Sequence, residues 1–160
     1  MPRISWLAAA ALLGLGCLFF PAAHSQPTTL KNKPTPKLEP VAETKLLMLG
    51  MAEPNLRSLG KILHDKPAEA EAWRFARGQA LLISEMGNLL MIRPPRTTTG
   101  QDIWMTQAVE LRSAAANLAR LLAAKDYGKS RSALASVANV CNHCHQAFQT
   151  PNRVDPFEVE

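Results

Sequence analysis

Near its C-terminal end this 160-residue chain carries the run Cys141-Asn142-His143-Cys144-His145. In an exported chain, C-x-x-C-H reads as the attachment point of a c-type haem. Each cysteine thiol adds across one haem vinyl group, and the histidine directly after the second cysteine reaches the iron as an axial ligand. The spacing is compact because two thioethers and one imidazole must all meet one macrocycle. His145 is therefore the expected metal ligand and Cys141 and Cys144 the covalent anchors. His143 occupies a variable slot of the run and is expected to face solvent. Two other chemistries use the same thiols. Structural zinc usually needs four ligands, and the chain offers only a distant His64 to complete the set. A thioredoxin-like redox pair follows a strand in a βαβ context, and no strand pattern is found here.

The other end of the chain supplies the compartment. Arg3 is followed by an apolar stretch from Trp6 to Phe20. At about 15 residues it suits a signal h-region better than a membrane span, which needs about 20. Ala23-His24-Ser25 fits a small-x-small cleavage site, so residues 1–25 read as a removable signal peptide and the expected location is the bacterial periplasm. Cys17 lies in the h-region and would be discarded. Lipidation of Cys17 is the alternative, but Gly14 stands where a lipobox usually has leucine. After cleavage Cys141 and Cys144 are the only cysteines. Two cannot form a disulfide framework for a domain of this size, although one short local disulfide is conceivable. No membrane span is expected once the signal is removed.

The elements that must position the motif follow from periodicity. Residues 26–40 contain Pro27, Pro34, Pro36 and Pro40 among Thr and Lys, the composition of an extended linker. Helices are then expected over 41–64, 67–92, 101–125 and 129–149, in a domain spanning 41–150, with 151–160 as a short polar tail. The first carries Met48, Met51, Leu56, Leu59 and Leu63 near helical spacing. Pro54 lies inside it and predicts a kink or a break, because its ring clashes with the carbonyl of Gly50. In the third, Trp104, Ala108, Leu111, Ala115, Leu118 and Leu122 form the seam of a bundle. The stripe of the fourth is Leu134, Val137, Cys141, Cys144 and Phe148, which puts both cysteines on its inward face. Four amphipathic helices with short connections predict an all-α, antiparallel four-helix bundle. The net charge of +5 is spread along the chain. No Lys/Arg block marks a nucleic-acid footprint, and no nucleic-acid partner is expected.

With these elements in place, the chain resembles the class II c-type cytochromes, the family that includes cytochrome c prime. The likeness is strong around Cys141-Asn142-His143-Cys144-His145-Gln146-Ala147-Phe148, with an aromatic three residues after the histidine, and weak elsewhere. The chain departs from the family at Gln149, where Arg or Lys often stands near a haem propionate. The resemblance implies a four-helix bundle holding one covalent haem c near the end of the last helix. It also implies a sixth coordination position facing the first helix. Thr44-Lys45-Leu46-Leu47-Met48 resembles that segment, with Met48 in the ligand position. Met51, one turn later, or no protein ligand at all, are the alternatives. Antiparallel first and last helices put the start of the first beside the motif. His64 lies about 24 Å further along at 1.5 Å per residue and is excluded. Lys45 is the basic residue nearest to the family's propionate-pairing arginine, offset by one position.

Trp73, Phe75 and Trp104 are candidates to wall a haem pocket, although aromatics at helical spacing also serve as plain core. Phe148 joins Trp73 and Trp104 in the expected cofactor-binding set. Met86 and Met91 read as core. No convergent acid–base pair suggests an enzyme. The expected function is one-electron transfer to a redox partner protein, since Met opposite His on iron raises the reduction potential. If Met48 only packs above the iron, the expected ligands become NO or CO. Relatives that pair through outer helix faces imply a homodimer as a further partner.

Overall fold

The computed structural model describes residues 36–158; the expected signal segment, Cys17 and most of the expected linker lie outside them. Every regular element among the described residues is helical: α1 (Thr44–Leu47), a π-helical turn (Met48–Ala52), α2 (Glu53–Ile62), α3 (Ala70–Met91), α4 (Gln101–Ala123) and α5 (Tyr127–Ala147). α1, the π turn and α2 run on as one continuous helix, so the described residues form four helices, compatible with a helical bundle. Among the described residues no helix is long and apolar enough to cross a membrane.

Pro54 does not break the first helix. It has no N–H for the Gly50 carbonyl, and its ring crowds that carbonyl. The helix widens instead: the Glu53 N–H donates to the Met48 carbonyl, five residues back, the pattern of a π turn. Asn55 Nδ2 donates to the Met51 carbonyl at 2.6 Å within the same stretch. α2 then buries Leu56, Leu59 and Gly60.

α3 begins three residues later than Pro67: residues 67–69 stay outside the helix, with Glu69 extended, and the Pro67 carbonyl accepts from the Trp73 indole N–H at 3.0 Å. The expected seam of α4 is observed: Ala108, Leu111, Ala115, Leu118 and Leu122 are buried. α3 and α4 approach closely at Gly87, where a Cβ would stand 2.8 Å from the Ala108 carbonyl oxygen and from Arg112 Cβ. Asp126 caps α5 by accepting from the Lys129 N–H at 3.1 Å, which starts that helix two residues before the expected Lys129.

The ends of the helices are tied in a consistent sense. Tyr127 Oη, at the start of α5, donates to the His64 carbonyl at 2.9 Å, just past the end of α2. Arg131 also donates to the carbonyls of Leu63 and His64, closing orphan acceptors of that helix end. At the opposite end Arg93 Nε donates to the Ala42 carbonyl at 3.1 Å and Trp104 Nε1 to the Leu90 carbonyl at 2.8 Å. The start of the first helix, the end of α3 and the start of α4 therefore share one end of the molecule.

The segment expected as a polar tail packs on the helices. Pro156 is buried, and Val154 and Phe157 lie against the core. A Cβ on Gly60 would fall 1.6 Å from the Pro156 carbonyl oxygen, so only glycine lets the two segments meet.

Candidate functional site

An apolar cavity lies among all four helices. The π turn contributes Met48 to its wall. α3 contributes Met86 and Leu90; α4 contributes Trp104, Gln107, Ala108 and Leu111; α5 contributes Val140, Cys141, Cys144 and His145. The i, i+3, i+4 spacing of Cys141, Cys144 and His145 places all three on one face of α5. Met48 approaches from the first helix. Met51 is half-buried against the core but does not line the cavity.

Both cysteines are free thiols. One regular helical turn keeps Cβ atoms at i and i+3 about 5–6 Å apart, beyond the roughly 3.5–4.5 Å that a disulfide needs. Burial, with the neighbouring Cys144 adding repulsion, pushes the Cys141 thiol up to about 12. Burial also raises Cys144. Both are neutral thiols at pH 7. A dithiol redox site has the opposite character, a thiol lowered toward thiolate. Among the described residues no group of three or more His, Cys, Asp or Glu side chains is placed to hold a bare metal ion, which counts against the zinc reading.

His145 Nδ1 lies 2.8 Å from the Asn152 carbonyl oxygen. A carbonyl only accepts, so Nδ1 carries a proton, and in the neutral ring the lone pair is then on Nε2. That tautomer is the one an Nε2 metal ligand requires. His143 is exposed, as expected. His64 stands at the other end of the first helix, 3.2 Å from Asp65 Oδ2, and takes no part.

The aromatic expectations divide. Trp104 lines the cavity. Phe148 meets it edge-on, with ring centroids 5.4 Å apart, and backs the wall through Trp104 without lining the cavity itself. Trp73 does not line the cavity: it is buried near the start of α3, thirteen residues before Met86, or about 20 Å along the helix. Phe75 is exposed. The reason is directional, because the end of α3, not its start, meets the motif. Met86 and Leu90 are accordingly wall residues as well as core. Lys45 is exposed on α1 and outside the cavity lining.

Gln107 was not anticipated. Its Oε1 is buried without a hydrogen-bond partner at the cavity wall. The available signal was a polar residue three positions after Trp104, on the apolar side of α4.

Comparison with protein-family models, with curated proteins and with solved structures finds no match to this chain. The site is therefore read from its own chemistry. Its donor set is two neutral thiols one turn apart, an imidazole of fixed tautomer and a thioether on the facing wall. In chemical type these are the groups that hold a c-type haem.

Proposed function

We propose that the chain is a periplasmic mono-haem c-type cytochrome carrying single electrons, an antiparallel four-helix bundle of the kind the class II c-type cytochromes form. One observation carries the reading: both cysteines and the histidine of the C-x-x-C-H run line a single apolar cavity whose opposite wall holds Met48. A bound haem would supply an iron that exchanges one electron between its ferric and ferrous states.

The chain's own residues have distinct parts. Cys141 and Cys144 would hold the haem through two thioether links, each thiol adding across one vinyl group. His145 offers Nε2 while Asn152 holds its Nδ1–H. Met48 offers a thioether, which favours the ferrous state. Trp104, Met86, Leu90 and Leu111 exclude water, so that little solvent reorganises when the charge changes. A second reading, binding of NO or CO, draws on the same lining. If Met48 packs without ligating, a diatomic ligand would meet a mostly apolar wall whose polar member is Gln107.

Expression of the full-length gene with a haem-attachment system tests the proposal. The product should gain the mass of one haem that survives denaturation and acid–acetone extraction. Its reduced spectrum should show sharp, split visible bands. Cys141→Ala and Cys144→Ala should each impair haem retention. A protein that folds normally and takes up no covalent haem would overturn the reading.

A further inference from the structure

We infer that residues 150–157 form a strap that fixes the proximal histidine, and that Asn142, inside the C-x-x-C-H run, is the positioning residue that fastens it. The inference rests on the haem reading above.

α5 ends at Ala147, and Gln149 takes a left-handed conformation at φ 53°. The Thr150 N–H donates to the His145 carbonyl at 2.7 Å, closing the helix end and reversing the chain. The strap then runs back past Asn142, where both ends of one side-chain amide are used. Asn142 Nδ2 donates to the Val154 carbonyl at 2.9 Å, and Asn142 Oδ1 accepts from the Val154 N–H at 2.8 Å. Further on, Pro156 seats against Gly60, and the Phe157 ring lies 4.3 Å from the Arg131 guanidinium carbon.

Asn152 lies between the pins at 150 and 154, so its carbonyl has little freedom. That carbonyl is the partner of His145 Nδ1. Donation from the far nitrogen of a ligating histidine gives the ring imidazolate character and strengthens its bond to the metal. Ferric iron gains more from this than ferrous iron, so the strap lowers the reduction potential against the opposing pull of Met48. Asn142 touches neither iron nor Nε2; it acts through the backbone of 152–154.

The test uses the full-length holoprotein and three variants. Asn142→Ala removes the two-point clasp. Gly60→Ala displaces Pro156 from the opposite side of the strap, far from the motif in sequence. Asn152→Ala is the control, because Asn152 acts through its main-chain carbonyl. Asn142→Ala and Gly60→Ala should both retain covalent haem and raise the reduction potential, by up to a tenfold shift in the reduction equilibrium, about 59 mV for one electron. The His145 Nδ1–H resonance should exchange faster with solvent in both, and Asn152→Ala should match wild type. If Asn142→Ala fails to yield holoprotein, Gly60→Ala decides. Unchanged potential and unchanged Nδ1–H exchange in the haem-bearing variants overturn the strap alone. A wild type that takes up no covalent haem overturns the haem reading and the strap's redox role with it.

Discussion

Met48→Ala separates an electron carrier from a gas binder. Met48 is half-buried, lines the cavity opposite the motif and sits in the first residue of the π turn. As packing alone, a fully buried Met→Ala change costs about 2–5 kcal/mol, and half-burial reduces that to roughly 1–2 kcal/mol by the same scaling. As a ligand, the thioether has a second effect that packing cannot imitate. Its loss should convert a low-spin haem to a high-spin one, lower the potential and let CO bind rapidly to the reduced protein. Absorption spectra of both redox states, a potentiometric titration and stopped-flow CO binding read these effects, and urea unfolding reads the packing cost. Met51→Ala should show a packing loss and no spectral change. A Met48→Ala protein that loses stability but keeps the wild-type spectrum would refute ligation by Met48. If Met51→Ala then changes spin state, the ligand lies one turn along. If neither does and the wild type already binds CO fast, the gas-binding reading is the better one.

Four further outcomes follow from the packing and from the cap of α5. Trp73→Phe should lose the bond to the Pro67 carbonyl and about 1–2 kcal/mol of stability, yet leave the haem spectrum unchanged. Trp104→Phe, which loses the bond to Leu90 and alters the edge contact with Phe148, should shift the spectrum or potential. Gly87→Ala should lower stability by about 1–3 kcal/mol in urea unfolding, because its Cβ has no room between the Ala108 carbonyl and Arg112, and Ala's better helix propensity cannot compensate fully. The Lys129 N–H, and then its ammonium, hold the Asp126 carboxyl below the usual carboxylate range. Stability from this cap is therefore present above the unfolded carboxylate pKa, about 3.9, and is lost as pH falls through the lowered folded value. The urea midpoints of wild type and Asp126→Ala should differ at pH 7 and converge in strong acid.

The helical pattern of this chain was legible because its apolar stripes are long and regular. The seam of α4 from Trp104 to Leu122 and the inward face of α5 through Cys141 and Cys144 both follow from spacing alone. The site was legible for the same reason, since Cys141, Cys144 and His145 are neighbours on one helix. Met48 needed the added step of an antiparallel first helix. Trp73 shows where spacing stops informing. It occupies a sound core position on α3, but which end of α3 meets the motif is a matter of tertiary arrangement. The strap was illegible for a different reason. Asn142, Asn152 and Val154 carry no periodic signal, and the strap's side of each bond is a backbone group that nearly any residue could supply. Pro54 did signal trouble in the first helix, but a proline announces only a missing donor, not which repair the helix adopts.

That repair changes how length maps onto direction. In a regular helix each residue turns by about 100°, so Met48 and Leu56, eight positions apart, would point about 80° away from each other. A π turn takes up one residue without advancing the winding, which brings Met48 within about 20° of the Leu56 face by the same arithmetic. The first helix thus contains one residue more than its winding uses. A chain that lacked this residue, and the proline that calls for it, would present its methionine to the cavity from a position one closer to α2. Counting residues back from the buried leucines would miss the correspondence between two such chains, whereas counting turns would find it.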